Sequence, residues 1–259
     1  MNDLTSRRFA GIQRLYGLQA YQKITSSHIR VIGIGGVGSW VAESLARSAV
    51  GEITLIDMDH VAESNINRQI HALSETLGQS KIDAMQTRIH SINPNCKVNT
   101  IDDFLSCDNI SQLMIEPADY TIDCIDQFRI KASLIHYCKS TKHNLLTIGG
   151  AGGRVDPTRI KIADLSRTEG DSLLAKTRKQ LRNRHGFPRN LRRRFDIPCV
   201  FSTEQLRYPT DDLQVSTNKS ECTSLSGLNC ANGFGSLSAV TATFGMVASA
   251  HVLNKVSKT

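Results

Sequence analysis

The chain has 259 residues, 40% of them apolar, enough to bury the core of one large α/β unit or of a nucleotide-binding half with an elaboration. Its formal charge of +7 is concentrated: nine Lys and Arg fall between Leu173 and Phe195 with no acid among them, and the other 22 basic residues stand against 24 acidic ones. Seven cysteines without framework spacing argue against a disulfide scaffold, and a charged N-terminus with no apolar run argues against a secretory signal, so a cytoplasmic protein with reduced thiols is expected.

In chain order, residues 1–27 read as an N-terminal helical arm, with Ile12, Leu15, Tyr16, Leu18 and Ile24 at roughly helical spacing. His28 to Gly33 is a short buried strand, the glycine run to Gly38 a turn, and Ser39 to Ser48 the helix it opens. Glu52 to Asp57 is a second strand. The polar loop MDHVAESNINRQ leads to a helix from Ser80 to Ile92, which stops before Asn93-Pro94 because a residue ahead of proline leaves helical backbone. Strands at Lys97 to Ile101, Tyr120 to Cys124 and Asn144 to Ile148 are separated by helices at Ile110 to Ile115 and Phe128 to Thr141. This alternation predicts an α/β fold, a Rossmann-type mostly parallel sheet with helices on both faces, over residues 28–150.

Residues 151–259 read as a C-terminal strand and helix elaboration, integrated with the rest in one domain. GGAGGRVDP is a turn and RIKIAD a strand, while 165–197 is a long polar and basic connecting loop. Pro198 to Ser202 and Leu213 to Ser216 add strands. Phe234 to Leu253 approaches membrane-span length, but its Gly, Ala, Ser and Thr suit a packed helix better than lipid. A buried or interface helix is expected, and membrane association is not favoured.

Gly33, Gly35, Gly36 and Gly38 place a G-x-G-x-x-G turn directly after a strand and ahead of a helix, where backbone N–H groups favour an anion. Asp57, ending the next strand, is placed for a ribose hydroxyl. These residues indicate a nucleotide, and by themselves they fit a NAD-dependent oxidoreductase best. The cluster beyond the second strand shifts that balance. Ser64, Asn65, Asn67 and Arg68 lie just past the sheet's carboxyl edge, Lys81 opens the following helix, and Asp126 follows the fourth strand. An Arg, a Lys and an Asp on one edge make a triphosphate clamp with a magnesium ligand. The basic segment suits a polyphosphate partner such as RNA, through Arg182, Arg184, Arg189, Arg192, Arg193 and Arg194.

The stretches GIGGVGSWVAESLARSAVGEITLIDMD, SNINRQ, Lys81 and DCIDQ resemble, in that order, the E1-like ThiF, MoeB and HesA group of adenylating enzymes. The resemblance implies ATP bound with Mg2+: Gly36 near the phosphates, Asp57 on ribose, Ser64, Asn65, Asn67, Arg68, Lys81 and Gln127 around ATP, and Asp126 on magnesium. It also implies a homodimer in which an N-terminal arginine, Arg8 or preferably Arg14, reaches the neighbouring subunit's triphosphate. Asp123, inside its strand, reads as structural. The chain has no C-x-x-C pair, so no structural zinc is expected.

RFAGIQRLYG, NRQIHAL, GGAGGRVDPTRI, CVFSTE, NCANGFGS and TATFG extend the resemblance nearly end to end, toward the tRNA threonylcarbamoyladenosine dehydratase branch. That branch implies adenylation of the carboxylate of a threonylcarbamoyl group on a tRNA adenosine, followed by cyclisation. Cys230, and after it Cys199, are the candidates for a covalent role, although cysteine in apolar surroundings is ordinarily an inert core residue. A cysteine desulfurase or sulfur-acceptor partner belongs to the family's associations. Adenylation of a sulfur-carrier protein is the alternative within the family, and a nucleotide-regulated RNA-binding module the alternative without turnover.

Overall fold

A computed structural model of the chain describes residues 3–210, 214–218 and 234–258. Seven strands build the main sheet: β1 (His28–Ile32), β2 (Glu52–Ile56), β3 (Lys97–Ile101), β4 (Tyr120–Asp123), β5 (Leu145–Ile148), β6 (Ile160–Asp164) and β7 (Pro198–Ser202). They lie in the order β3-β2-β1-β4-β5-β7-β6, with every neighbouring pair parallel except β6 against β7. Tyr208–Pro209 (β8) and Val215–Ser216 (β9) form a separate two-stranded ribbon.

The helices are α1 (Asp3–Tyr16), α2 (Leu18–Ser26), α3 (Gly38–Arg47), α4 (Lys81–Ile92), α5 (Ile110–Leu113), α6 (Phe128–Thr141), α7 (Ser172–Arg184) and α8 (Ser238–Val256). Alternate residues of the strands feed two cores. Ile29, Val31, Ile53 and Leu55 pack with α3, α4 and α8, while Ile32 and Ile56 point the other way, toward α6 and α7. Register aligns the strand ends, with Ile32 opposite Ile56 and Asp123, Ile56 opposite Ile101, and Asp123 opposite Thr147. Gly33, Asp57, Asp126 and Gly149 therefore leave the sheet at one carboxyl edge, where ligands bind in this architecture.

The small-residue helix at the C-terminal end, α8, packs on α3. A side chain at Gly245 would begin 2.8 Å from Trp40 Cβ and 3.0 Å from the backbone of Val37 and Val41, so only glycine permits this approach. Ser249 donates to the Val41 carbonyl at 3.3 Å, and Val240, Phe244, Ala248 and Val252 are fully buried. Among the described residues no helix is long and apolar enough to cross a membrane.

Two sequence expectations are corrected. Residues 165–197 are not one loop, because α7 occupies Ser172–Arg184 within them. The Asp171 side chain accepts the Leu174 N–H at 2.9 Å and starts the helix, while Leu174, Thr177 and Leu181 are its buried stripe. Only one narrow face is apolar, so the dense Lys and Arg of the other faces mask the helical period. The strand expected at Leu213 to Ser216 shrinks to Val215–Ser216, and Leu213 lies outside the described residues.

Candidate active site

A cavity of about 300 Å³ opens at the carboxyl edge of the sheet. Of the expected site residues, Gly33, Gly35, Gly36, Asp57, Asn65, Arg68, Lys81, Asp126 and Gln127 line it. Gly38 lies behind the turn as the first residue of α3, and a Cβ there would sit 1.8 Å from the Gly33 carbonyl oxygen. The turn closes only with glycine at that position. The N–H groups of Gly35, Gly36 and Val37 have no acceptor among the described residues, which leaves a helix N-terminus with donors facing the cavity.

Asp57 closes the adjacent side. Its Oδ2 accepts the Ile34 N–H at 2.6 Å and its Oδ1 the Asp59 N–H at 2.9 Å. Burial pushes its carboxyl above the usual range, while Lys81 and the two N–H groups pull it back. A carboxylate has about four acceptor positions, so lone pairs remain for a ribose hydroxyl.

Arg68 lies against the glycine turn: a side chain at Gly36 would begin 3.3 Å from Arg68 Cδ. Its guanidinium donates to the Ser64 carbonyl at 2.6 Å and to Asn67 Oδ1 at 3.0 Å. Lys81, buried in the first turn of α4, donates to Asp59 Oδ2 at 2.7 Å. Asn65 is buried and accepts the Ala62 N–H at 3.2 Å, which folds the polar loop back on itself. Ser64 and Asn67 lie outside the cavity lining. Ser64 supports Arg68, and Asn67 donates to Ser236 at 2.9 Å.

The turn that carries Asp126 rests on a buried ion pair. Lys131 and Asp123, both with fully buried side chains, meet at 2.7 Å, and Thr147 donates to Asp123 Oδ2 at 2.6 Å. Asp123 Oδ1 accepts the Ile125 N–H at 3.0 Å, so this pair fixes the backbone that presents Asp126 and Gln127 to solvent at the cavity rim.

Several lining residues were not singled out from the sequence. Gln69 is buried, lines the cavity, and its Oε1 has no partner among the described residues, which marks it as a further acceptor for a ligand. Its place in NRQ was the available signal. Thr241 reaches the cavity from α8, and Leu173 from α7, neither through any local motif. Behind Gly150, the buried Arg154 donates to the Gly150 carbonyl and pairs with Asp171 at 3.5 Å, and Asp171 accepts the Gly150 N–H at 2.9 Å. This knot joins the glycine-rich turn to the start of α7.

Of the remaining candidates, Cys199 is fully buried with its thiol pushed well up by burial, so it stays protonated and unreactive. Cys230 lies outside the described residues. Arg14 is exposed on α1 and has no partner among the described residues, whereas Arg8 caps α4 through the carbonyls of Ser91 and Ile92 at 3.2 and 2.9 Å. Arg184, Arg189, Arg192, Arg193 and Arg194 are exposed, while Arg182 is drawn over the Phe195 ring at 5.3 Å.

The donor set fits ATP. Open N–H groups, two cations and a ribose-directed carboxylate surround one cavity, and Asp126, one of three exposed carboxylates in its lining with Asp59 and Asp103, suits magnesium, which keeps most of its water. A larger groove of about 1140 Å³ at the opposite sheet edge, between Lys23, Asp119 and Lys255, has no such turn.

Residues 6–259 match the model of the ThiF family. The chain is 50% identical over 256 residues to a tRNA threonylcarbamoyladenosine dehydratase of Haemophilus influenzae, covering 99% of this chain and 95% of the relative. It is 48% identical to the Escherichia coli protein of the same name, covering 99% and 96%. The solved structure of that E. coli enzyme in complex with ATP superposes with a TM-score of 0.86 at 45% identity, covering 98% of this chain and 96% of that one. The chain belongs to the ThiF family of E1-like adenylating enzymes, in its tRNA threonylcarbamoyladenosine dehydratase branch.

Proposed function

We propose that the protein activates the carboxylate of a threonylcarbamoyl group on a tRNA adenosine with ATP and lets the acyl adenylate cyclise. The carboxylate oxygen attacks the α-phosphorus and pyrophosphate leaves. A nucleophile of the same modified nucleoside then attacks the acyl carbon, and AMP departs with the carboxylate oxygen. The net change in the nucleoside is loss of one water.

The convergence of Arg68 and Lys81 on the cavity beside the Gly33–Gly38 turn carries this reading. A carboxylate is ionised at neutral pH, so the first step needs alignment and neutralisation of phosphate charge rather than a base. Arg68 and Lys81 supply the charge, Asp57 orients the ribose, and Asp126 is the carboxylate that would hold Mg2+. A bound magnesium ion further neutralises the polyphosphate. Ring closure within one nucleoside requires neither a cysteine nor a sulfur acceptor.

A homodimer belongs to the same reading. Leu15 and Leu18 are 76% and 54% exposed on the arm, an apolar surface that a second copy would cover. Arg14, rather than the engaged Arg8, would then reach the neighbouring triphosphate. The basic segment supplies the tRNA surface.

The direct test is mass spectrometry of tRNA nucleosides after incubation with enzyme and ATP. Loss of one water mass at the modified adenosine, with pyrophosphate and AMP formed only when that tRNA is present, is the expected result. Pyrophosphate formation driven instead by a carrier protein with a free C-terminus would replace this reading.

A further inference from the structure

The mouth of the cavity, where α6 meets α7, holds a feature that the adenylation site does not use. Gln127 lines the cavity, and Phe128 and Arg129 follow as the first residues of α6. From the other side Leu173 lines it, and Lys176 follows three residues later on the same face of α7. Arg129 Cζ lies 5.7 Å and Lys176 Nζ 6.0 Å from the centroid of the Phe128 ring. Both cations are exposed, and among the described residues neither has a hydrogen bond or an ion pair with a carboxylate.

Two cations brought to one ring from two helices concentrate positive charge there with no carboxylate of the described residues in contact, and an anion beside them neutralises it. ATP has its own cations in Arg68 and Lys81, which line the cavity, whereas neither Arg129 nor Lys176 does. The mouth also lies where the rest of the basic segment begins. An RNA strand that delivers one modified nucleotide into a cavity of about 300 Å³ must leave its flanking phosphates at the rim. We infer that Arg129 and Lys176, set around Phe128, form a phosphate-binding subsite for the RNA backbone beside the reacting nucleotide.

This inference rests on the tRNA reading above and adds positioning residues to it. Ring contact with Phe128 limits the wandering of both side chains, so they meet the backbone with less entropy to lose. The subsite would lower KM for tRNA and align the carboxylate, while leaving ATP capture to the inner wall.

The test uses wild type, Arg129→Ala, Lys176→Ala and the double variant, with tRNA carrying threonylcarbamoyladenosine, over a series of salt concentrations. Each single variant should raise KM and Kd for tRNA about fivefold and flatten the log–log salt slope by roughly 0.7, the value for one phosphate contact on a single strand. The double variant should exceed either, Lys176→Arg should recover most of the loss, and the ATP-induced rise in Tm should persist in all. If wild type is active but the variants bind tRNA with unchanged affinity and slope, the subsite is overturned alone. If wild type forms no cyclised nucleoside, the reaction reading falls and the subsite with it.

Discussion

Trp40 donates its indole N–H to the backbone carbonyl of Arg68 at 2.9 Å, and Thr241 adds a second donor to the same oxygen at 3.3 Å. Three distant segments, the glycine-turn helix, the polar loop and the last helix, thus fix one arginine beside the phosphate turn. Removing the donor while keeping an aromatic ring, as in Trp40→Phe, should cost about 1 kcal/mol of stability and raise KM for ATP. Urea unfolding and ATP-dependent turnover measure the two effects, and an unchanged KM would show that Arg68 is placed by other contacts.

Arg68→Ala and Lys81→Ala should each slow pyrophosphate release by about 10²–10³-fold, the cost of removing a charge that stabilises the transition state. Both proteins should remain folded. The Lys81 partner, Asp59, is 57% exposed, so loss of the lysine leaves no carboxylate stranded away from water. Circular dichroism and turnover on the same preparations separate loss of chemistry from loss of structure.

The Lys131–Asp123 pair behaves differently because water reaches neither partner. Lys131→Met leaves a buried carboxylate held only by Thr147 and the Ile125 N–H, and should destabilise the chain by about 3–5 kcal/mol. Removing both charges together, as in Lys131→Met with Asp123→Asn, should recover part of that loss. A single variant as stable as wild type would refute the structural role given to Asp123.

His71 is 2% exposed, and neither ring nitrogen has a partner among the described residues. Burial, with Lys81 and Arg88 nearby, pushes its pKa down to about 4. The folded state therefore favours the neutral ring, and between about pH 6.5 and pH 4 the unfolded chain binds more protons. Its contribution is fully present above pH 6.5 and is lost as pH falls through that window, by up to on the order of 3 kcal/mol. Thermal unfolding of wild type and His71→Leu from pH 7.5 to 4.5 should show a shallower acid decline in the variant. Parallel curves would contradict the assignment.

Most of the site was legible because its parts are local. A turn of glycines after an apolar run, an acid ending the next strand and a loop rich in Asn and Arg each declare themselves within a few residues. Parallel register then brings Gly33, Asp57 and Asp126 to one edge without further information. What escaped is tertiary. Thr241 reaches the cavity only because Gly245 lets α8 approach α3, and no local pattern carries that. The helix α7 was hidden because its buried stripe is Leu174, Thr177 and Leu181 amid cations, which reads as solvated chain. Ser64 and Asn67 sit in the right motif, yet they support Arg68 and Ser236 rather than line the cavity.

The central claim is that a carboxylate oxygen of the modified nucleoside passes through phosphorus. It is tested most directly with tRNA whose threonylcarbamoyl carboxylate carries 18O, incubated with enzyme and unlabelled ATP. One labelled oxygen should appear in AMP for each cyclised nucleoside formed, and none in pyrophosphate. Cyclised nucleoside produced alongside unlabelled AMP would contradict the acyl adenylate and the role given to Arg68 and Lys81.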